Sequence, residues 1–172
     1  ATASATVIDD DYPTGTLLFG DNFNVNSSAN WIVNTNATDA SAEFAYDYSQ
    51  LYVPAVPGGS STIGLRFRLN ELTNAPRNAV TVSPLTLNLP THYRMKFKAW
   101  INYNGPMLDG VSGSTMHLNA VVVTTPDHAH FATFGASDGI WFDVDGDGGS
   151  TTVVGDANAY VAATLQTDDS GV

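Results

Sequence analysis

Leu65-Arg66-Phe67-Arg68-Leu69 and Tyr93-Arg94-Met95-Lys96-Phe97-Lys98-Ala99 decide the fold class of this chain. In both stretches apolar residues and cations alternate with a period of two. That period sorts them onto opposite faces of an extended strand and builds no continuous stripe on a helix. Leu65, Phe67 and Leu69 are therefore expected to point inward, as are Tyr93, Met95 and Phe97, with the cations facing water.

Outward from these two segments the same signal recurs. Thr16–Phe23, Asn30–Val33, Glu43–Tyr48, Thr62–Leu69, Ala79–Val82, Tyr93–Ile101, Met116–Thr124, Phe131–Phe134, Ile140–Asp145 and Ala159–Leu165 read as strands. Turn chemistry separates them: Pro57-Gly58-Gly59, Asn104-Gly105-Pro106, Asp109-Gly110, Ser112-Gly113 and Asp138-Gly139. Many short strands at this spacing predict an all-β fold, a two-sheet antiparallel β-sandwich of the jelly-roll kind. A chain of 172 residues suits a single domain over 1–172. Residues 1–15 read as an N-terminal arm and 166–172 as a loop-like tail. With no strand predicted after Leu165, Ala159–Leu165 lies at a sheet edge, lacks closing strands beyond this stretch, or takes a strand from another chain.

Charged residues are only 13% of the chain, about half the usual share, and the net charge is −11. Glu43 and Glu71 are the only glutamates, so the acid is almost all Asp, a residue of turns and metal sites more than of helices. A charge of this sign argues against nucleic acid and against anionic membrane surfaces. No apolar run approaches the length of a membrane span. The chain has no Cys, which excludes disulfide scaffolds, thiolate zinc sites and thiol nucleophiles. Ala1-Thr2-Ala3-Ser4-Ala5 resembles the small-residue end of a processed signal peptide, so a secreted, extracellular or cell-surface chain is expected.

Asp143-Val144-Asp145-Gly146-Asp147-Gly148-Gly149 is the most specific motif. Aspartates at alternate positions followed by Gly form the first half of a calcium loop, where carboxylates converge and Gly permits the turn. The twelfth position is Val154 rather than a bidentate Glu, so Asp143, Asp145 and Asp147 need remote oxygens, from Asp138, Asp156 or a main-chain carbonyl. The plain alternative is a strand entering an Asp-Gly turn with solvated carboxylates. His128 and His130 beside Asp127 have the spacing to share a strand face as metal ligands, but their loop context favours exposed histidines.

Exposed rings next to amides and carboxylates are the chemistry of glycan binding. Tyr46, Tyr48 and Tyr52 near Asp47 and Gln50, and Tyr103 with Asn102 and Asn104, supply it. Trp31, Trp100 and Trp141 are expected in the core. Arg66, Arg68, Arg94, Lys96 and Lys98 are all the cations except Arg77. They read either as exposed faces paired with nearby Asp or as an interface for an acidic neighbour such as Asp9-Asp10-Asp11 of another copy. Asn26-Ser27-Ser28 and Asn36-Ala37-Thr38 are glycosylation acceptors only in a host that uses them.

Phe19-Gly20-Asp21-Asn22-Phe23 with Asn30-Trp31, Phe44-Ala45-Tyr46-Asp47-Tyr48-Ser49, Gly64-Leu65-Arg66, Trp100 to Pro106, Gly113-Ser114-Thr115 and Asp138-Gly139-Ile140-Trp141-Phe142 together resemble a domain of exported proteins of environmental bacteria. That domain is similar to the concanavalin A-like lectin and glucanase sandwiches, laminin G-like modules included. The resemblance implies a first strand opening at the Asp21-Asn22-Phe23 segment and a closing segment that pairs with it. It also raises an enzymatic alternative, because glucanases of this fold carry Glu-x-Asp-x-Glu on one strand where this chain has Asp143, Asp145 and Asp147. Residues four apart on a strand are about 13 Å apart at the backbone, whereas retaining hydrolysis needs carboxyls about 5 Å apart. The shorter Asp arms fit that demand poorly. The expected function is a non-catalytic extracellular module, a structural, self-assembling part of a cell-surface or matrix structure with glycan or other copies of itself as partners. A lectin-like module and a glycoside hydrolase are the alternatives.

Overall fold

The structure, a computed structural model, describes residues 4–8, 16–69, 72, 78–101, 117–122, 139–145, 157–161 and 164–167. Their regular structure is mostly antiparallel strand, with two short 3-10 helices, Ser28–Asn30 and Tyr48–Leu51. The chain is all-β, as the alternation predicts. In order the strands are β1 (Ser4–Ile8), β2 (Leu17–Asp21), β3 (Trp31–Thr35), β4 (Ala40–Asp47), β5 (Ile63–Leu69), β6 (Val80–Pro84), β7 (Arg94–Lys98), β8 (His117–Val122), β9 (Ile140–Asp145), β10 (Ala157–Val161) and β11 (Thr164–Thr167).

Two units divide them. Ala1–Trp100 holds a sheet of order β2-β1-β7 and the ladders β3-β6 and β4-β5; Ile101–Val172 holds a sheet of order β11-β10-β9-β8. Two sequence expectations change here. Part of the stretch read as an N-terminal arm is β1, paired on both sides. The segment expected as one strand over 159–165 is instead a hairpin. β10 pairs with β11 as Tyr160↔Leu165 and Val161↔Thr164, and β11 runs into the stretch read as a tail. The expected strand Phe131–Phe134 lies outside the described residues.

The core of the first unit is built by aromatic rings around one carboxylate. Asp21, at the end of β2, accepts a 2.8 Å hydrogen bond on Oδ1 from the Phe23 N–H and another of 2.8 Å on Oδ2 from the Trp31 indole N–H. The first closes a tight turn that puts Phe23 at φ 55, a left-handed conformation costly for a bulky residue. Burial offsets that cost, since Phe23 is 2% exposed. Its ring lies 5.3 Å from Trp31 and 6.0 Å from Phe44, and Phe19 meets Trp31 edge to face at 5.2 Å. Leu65, Ala42 and Val82 complete the cluster, so β2, β3, β4, β5 and β6 all contribute.

Beyond that cluster the inward reading fails. On β5 the core contact stops at Leu65; Phe67 and Leu69 are exposed, while Arg66 and Arg68 are half-buried. On β7, the outer strand of its sheet, Tyr93 and Met95 are half-buried but Phe97 is exposed. Trp31 is buried as expected, but Trp100 is 46% exposed. The side chain of Trp141 lies outside the described residues.

One irregularity shapes the rest. Glu43 pairs with Arg66 and Tyr46 with Gly64, so Phe44 and Ala45 together oppose Leu65 in a β-bulge. The extra residue lets Phe44 face the core while returning Tyr46 to the face of Glu43. Ala45 takes φ 60 to do so. The Pro57-Gly58-Gly59 turn is as its sequence predicts: Gly59 N–H donates to the Val56 carbonyl at 2.8 Å, with Gly58 at φ 78, the type II pattern of Pro followed by Gly.

A left-handed alanine costs about 1–2 kcal/mol, and a new glycine gives back about 0.4–1 kcal/mol through the unfolded chain. Ala45→Gly should therefore stabilise the protein by about 0.5–1 kcal/mol, read as a higher urea midpoint at unchanged m-value. A lower midpoint would contradict the bulge geometry.

Candidate functional site

The bulge gathers Glu43, Tyr46, Tyr48 and Arg66 beside one another on the β4–β5 ladder. Arg66 Nη1 lies 3.8 Å from Glu43 Oε2, directly across the ladder. The guanidinium carbon sits 4.3 Å from the centre of the Tyr46 ring, and Tyr46 meets Tyr48 edge to face at 5.1 Å. A half-exposed ion pair of that length is worth at most about 1 kcal/mol, and the cation–π contact about 0.5–1 kcal/mol.

Tyr48 is a pin rather than a platform. It is buried, its hydroxyl donates to the Leu65 carbonyl at 2.8 Å and its N–H to the Thr62 carbonyl at 2.9 Å. Burial pushes its phenol up to about 12, against the pull of Arg66. Buried in this way, Tyr48 presents little of its ring to solvent. Tyr46 keeps less than expected, with one face under Arg66. Arg66, read either as part of an exposed face paired with nearby acid or as part of an interface, lies beside Glu43 and over Tyr46.

Tyr52 is different. Asp47 Oδ1 accepts from the Ser49 N–H at 2.9 Å and from the Thr62 hydroxyl at 2.8 Å; these bonds, those from Ser49 first, hold its carboxyl below the usual range. They start the short helix Tyr48–Leu51, which ends with Tyr52 at φ 58 and its N–H bonded to the Ser49 carbonyl at 3.0 Å. The Tyr52 side chain projects from this cap 96% exposed, beside exposed Leu51 and Gln50. Its left-handed backbone is that of a helix C-cap.

The other cations are divided between two strands. Arg66 and Arg68 belong to β5, whereas Arg94, Lys96 and Lys98 belong to β7 in another sheet. Lys98 Nζ donates to the Pro57 carbonyl at 2.6 Å. The Asp9-Asp10-Asp11 run lies outside the described residues.

In the second unit, Asp143 and Asp145 sit within regular β9. Asp143 is in register with Asn119 and Asn158, and Asp145 with His117. Asn119 Oδ1 is buried without a hydrogen-bond partner, an oxygen of the kind a cation or a water satisfies. Asp138, Asp147, Asn102, Tyr103, Asn104, His128 and His130 lie outside the described residues. Among the described residues no three His, Asp or Glu are grouped to hold a metal ion.

The same sheet carries the feature that sequence reading missed. Ile140, Phe142 and Val144 alternate along β9 and are 51%, 55% and 43% exposed. The register sets exposed Val161 beside Ile140 on one flank; on the other flank it sets half-buried Leu118, Ala120 and Val122 beside Val144, Phe142 and Ile140. Period two identifies the apolar set correctly, but it cannot say whether a second layer covers it.

Tyr48→Phe should cost about 1–2 kcal/mol, because a hydrogen bond to the buried Leu65 carbonyl is lost. The folded state also holds the Tyr48 proton more tightly than the unfolded state does. That stability is complete below pH 10 and is lost as pH rises from 10 towards 12. Urea titrations across that window should show a shallower alkaline loss in Tyr48→Phe than in the wild type; equal slopes would remove the assignment.

Compared with protein-family models, with curated proteins and with solved structures, the chain matches none.

Proposed function

We propose that this chain is a non-catalytic extracellular module that assembles with copies of itself as part of a cell-surface or matrix structure. The observation that carries the reading is the run of exposed apolar side chains on β9, Ile140, Phe142 and Val144, with exposed Val161 of β10 beside it. Contiguous exposed apolar surface rimmed by polar residues marks an interaction site. Leu118, Ala120, Val122, Ile140, Phe142, Val144 and Val161 carry no charge in a chain of net −11, so the patch can meet its own copy without setting like charges opposite each other. The part of this sheet face carried by β8, β9 and Val161 offers on the order of 200 Å² per copy from strand spacing and rise, below the roughly 800 Å² of a standard interface. One such contact is weak, and its strength comes from repetition in an assembly. In this reading the first unit is a two-sheet sandwich of the jelly-roll, concanavalin A-like kind, supported by the packing of β4 on β6 and β3 around Trp31, Phe44 and Leu65. The Asn/Ser/Thr-rich, Lys- and Glu-poor composition supports an extracellular site.

Light scattering across a concentration series should show the weight-average mass climbing above the 18.2 kDa of one chain. Phe142→Asp should hold it near the monomer, and Phe142→Leu should behave as wild type. A wild-type mass that stays monomeric up to millimolar concentration would overturn the proposal.

A second reading, glycan binding, is favoured by one observation, the display of Tyr52. A sugar face stacks on an exposed ring, and Gln50 beside it offers both a donor and an acceptor. On a glycan array any specific signal should disappear in Tyr52→Ala and survive in Tyr48→Phe. Signal that ignores Tyr52 would end this reading.

A further inference from the structure

β7 is an outer strand of the β2-β1-β7 sheet, and among the described residues only β1 pairs with it. Its two faces differ in kind. Arg94, Lys96 and Lys98, half of the chain's six cations, are exposed and stand in register with uncharged Ile8, Thr6 and Ser4 of β1. Lys98 Nζ donates to the Pro57 carbonyl at 2.6 Å, which positions its charge. Met95 and Phe97 alternate with the cations and so occupy the other face. They share it with Val7 and Ala5 of β1 and, beyond these, with Phe19 and Asp21 of β2. Phe19 packs there against Trp31, yet Phe97 is 42% exposed where the sheet ends. Among the described residues the edge therefore has an open backbone ladder, an uncovered ring on one face and a row of positive charge on the other.

We propose that the β7 edge takes an extended segment of another protein as an added strand, one in which carboxylates and apolar residues alternate. In such additions main-chain hydrogen bonds supply affinity and alternate side chains supply specificity. The cations on β7 repeat about every 6.6–6.8 Å, and carboxylates at every second position of an added strand repeat at the same spacing. Each carboxylate then falls opposite or diagonal to a cation, while the apolar residues between them cover Phe97. The same charges turn away a second copy, because any β7–β7 pairing that keeps the apolar residues together sets cation against cation. The net −11 of the chain opposes an acidic segment at long range. Neither β7 nor β1 contains an acidic residue, however, and at physiological ionic strength exposed charges more than about 8 Å apart are largely screened. An acidic polysaccharide would meet the cations but leave the ladder and Phe97 unused. The site lies in the first unit and uses neither the β9 face nor Tyr52, so this proposal and self-assembly stand or fall separately.

The probe is a blocked, fluorescein-labelled nonapeptide of alternating Val and Asp, titrated with the full chain at physiological ionic strength and read by anisotropy. It should bind at least tenfold more tightly than the same residues rearranged into one Val block and one Asp block. Lys96→Glu should weaken that binding at least tenfold and bring binding of an alternating Val and Lys peptide, a reversal that loss of folding cannot produce. Where circular dichroism shows Lys96→Glu to be unfolded, Lys96→Gln decides, with at least a threefold loss expected. Absence of binding at millimolar peptide, equal affinity for the alternating and block peptides, or affinity unchanged in the Lys96 variants would overturn the proposal. A soluble polyuronate bound as tightly as the alternating peptide would overturn it too, by showing that charge alone is recognised.

Discussion

The first unit depends on a single carboxylate. Asp21 ends β2, and both its oxygens are committed, one to the Phe23 N–H and one to the Trp31 indole. The first bond turns the chain so that Phe23 enters the core in a left-handed backbone conformation; the second fixes the ring on which Phe19 and Phe23 pack. Charge-assisted hydrogen bonds are roughly twice as strong as neutral ones. That margin matters because few side chains bury fully: among the described residues the buried apolar set is Phe23, Trp31, Tyr48, Val53 and Leu65. With so small a core, placing one aromatic cluster correctly outweighs any single ladder.

The bulge in β4 carries that placement to the opposite face. A regular strand would put Glu43 and Tyr46, three apart, on opposite sides of the ladder. The extra residue puts Phe44 among the core rings and leaves Tyr46 beneath Arg66. Tyr48 then closes the hairpin through its hydroxyl on the Leu65 carbonyl. From there the chain passes through the Asp47-capped turn to Tyr52, so the buried pin and the displayed ring are four residues apart in sequence and opposite in environment.

Strand class and most strand positions were legible in the alternation, and the Pro57-Gly58-Gly59 turn in its residue types. Three things were not. The β10–β11 reversal falls inside an unbroken run of strand-forming residues, Ala159 to Leu165, which carries no Gly, Pro, Asn or Asp to announce a turn. β1 hid in a small-residue segment, because Ser4-Ala5-Thr6 has little apolar contrast and its pairing with β7 joins positions far apart in the chain. Burial was the third. Alternation assigns faces, yet Phe67, Leu69 and Phe97 alternate as well as Leu65 does and still face solvent, because exposure depends on how far the opposing layer reaches. For the same reason the candidate tyrosines separated only once the backbone was placed. Tyr46, Tyr48 and Tyr52 look equivalent in sequence, but one lies under a guanidinium, one is buried and one is free of the surface.

Exposed apolar side chains thus belong to both units, and the charge distribution says what they can meet. The net charge of −11 comes almost wholly from aspartate, while Ile140, Phe142 and Val144 of β9 carry none of it. A nucleic acid or an anionic lipid surface would meet repulsion across most of this protein. In the proposed reading a neutral patch avoids that repulsion when it meets its own copy, and a weak interface used many times would hold an array together. The exposed side chains of Ile140, Phe142, Val144 and Val161 are the apolar surface from which such an assembly would make its contacts.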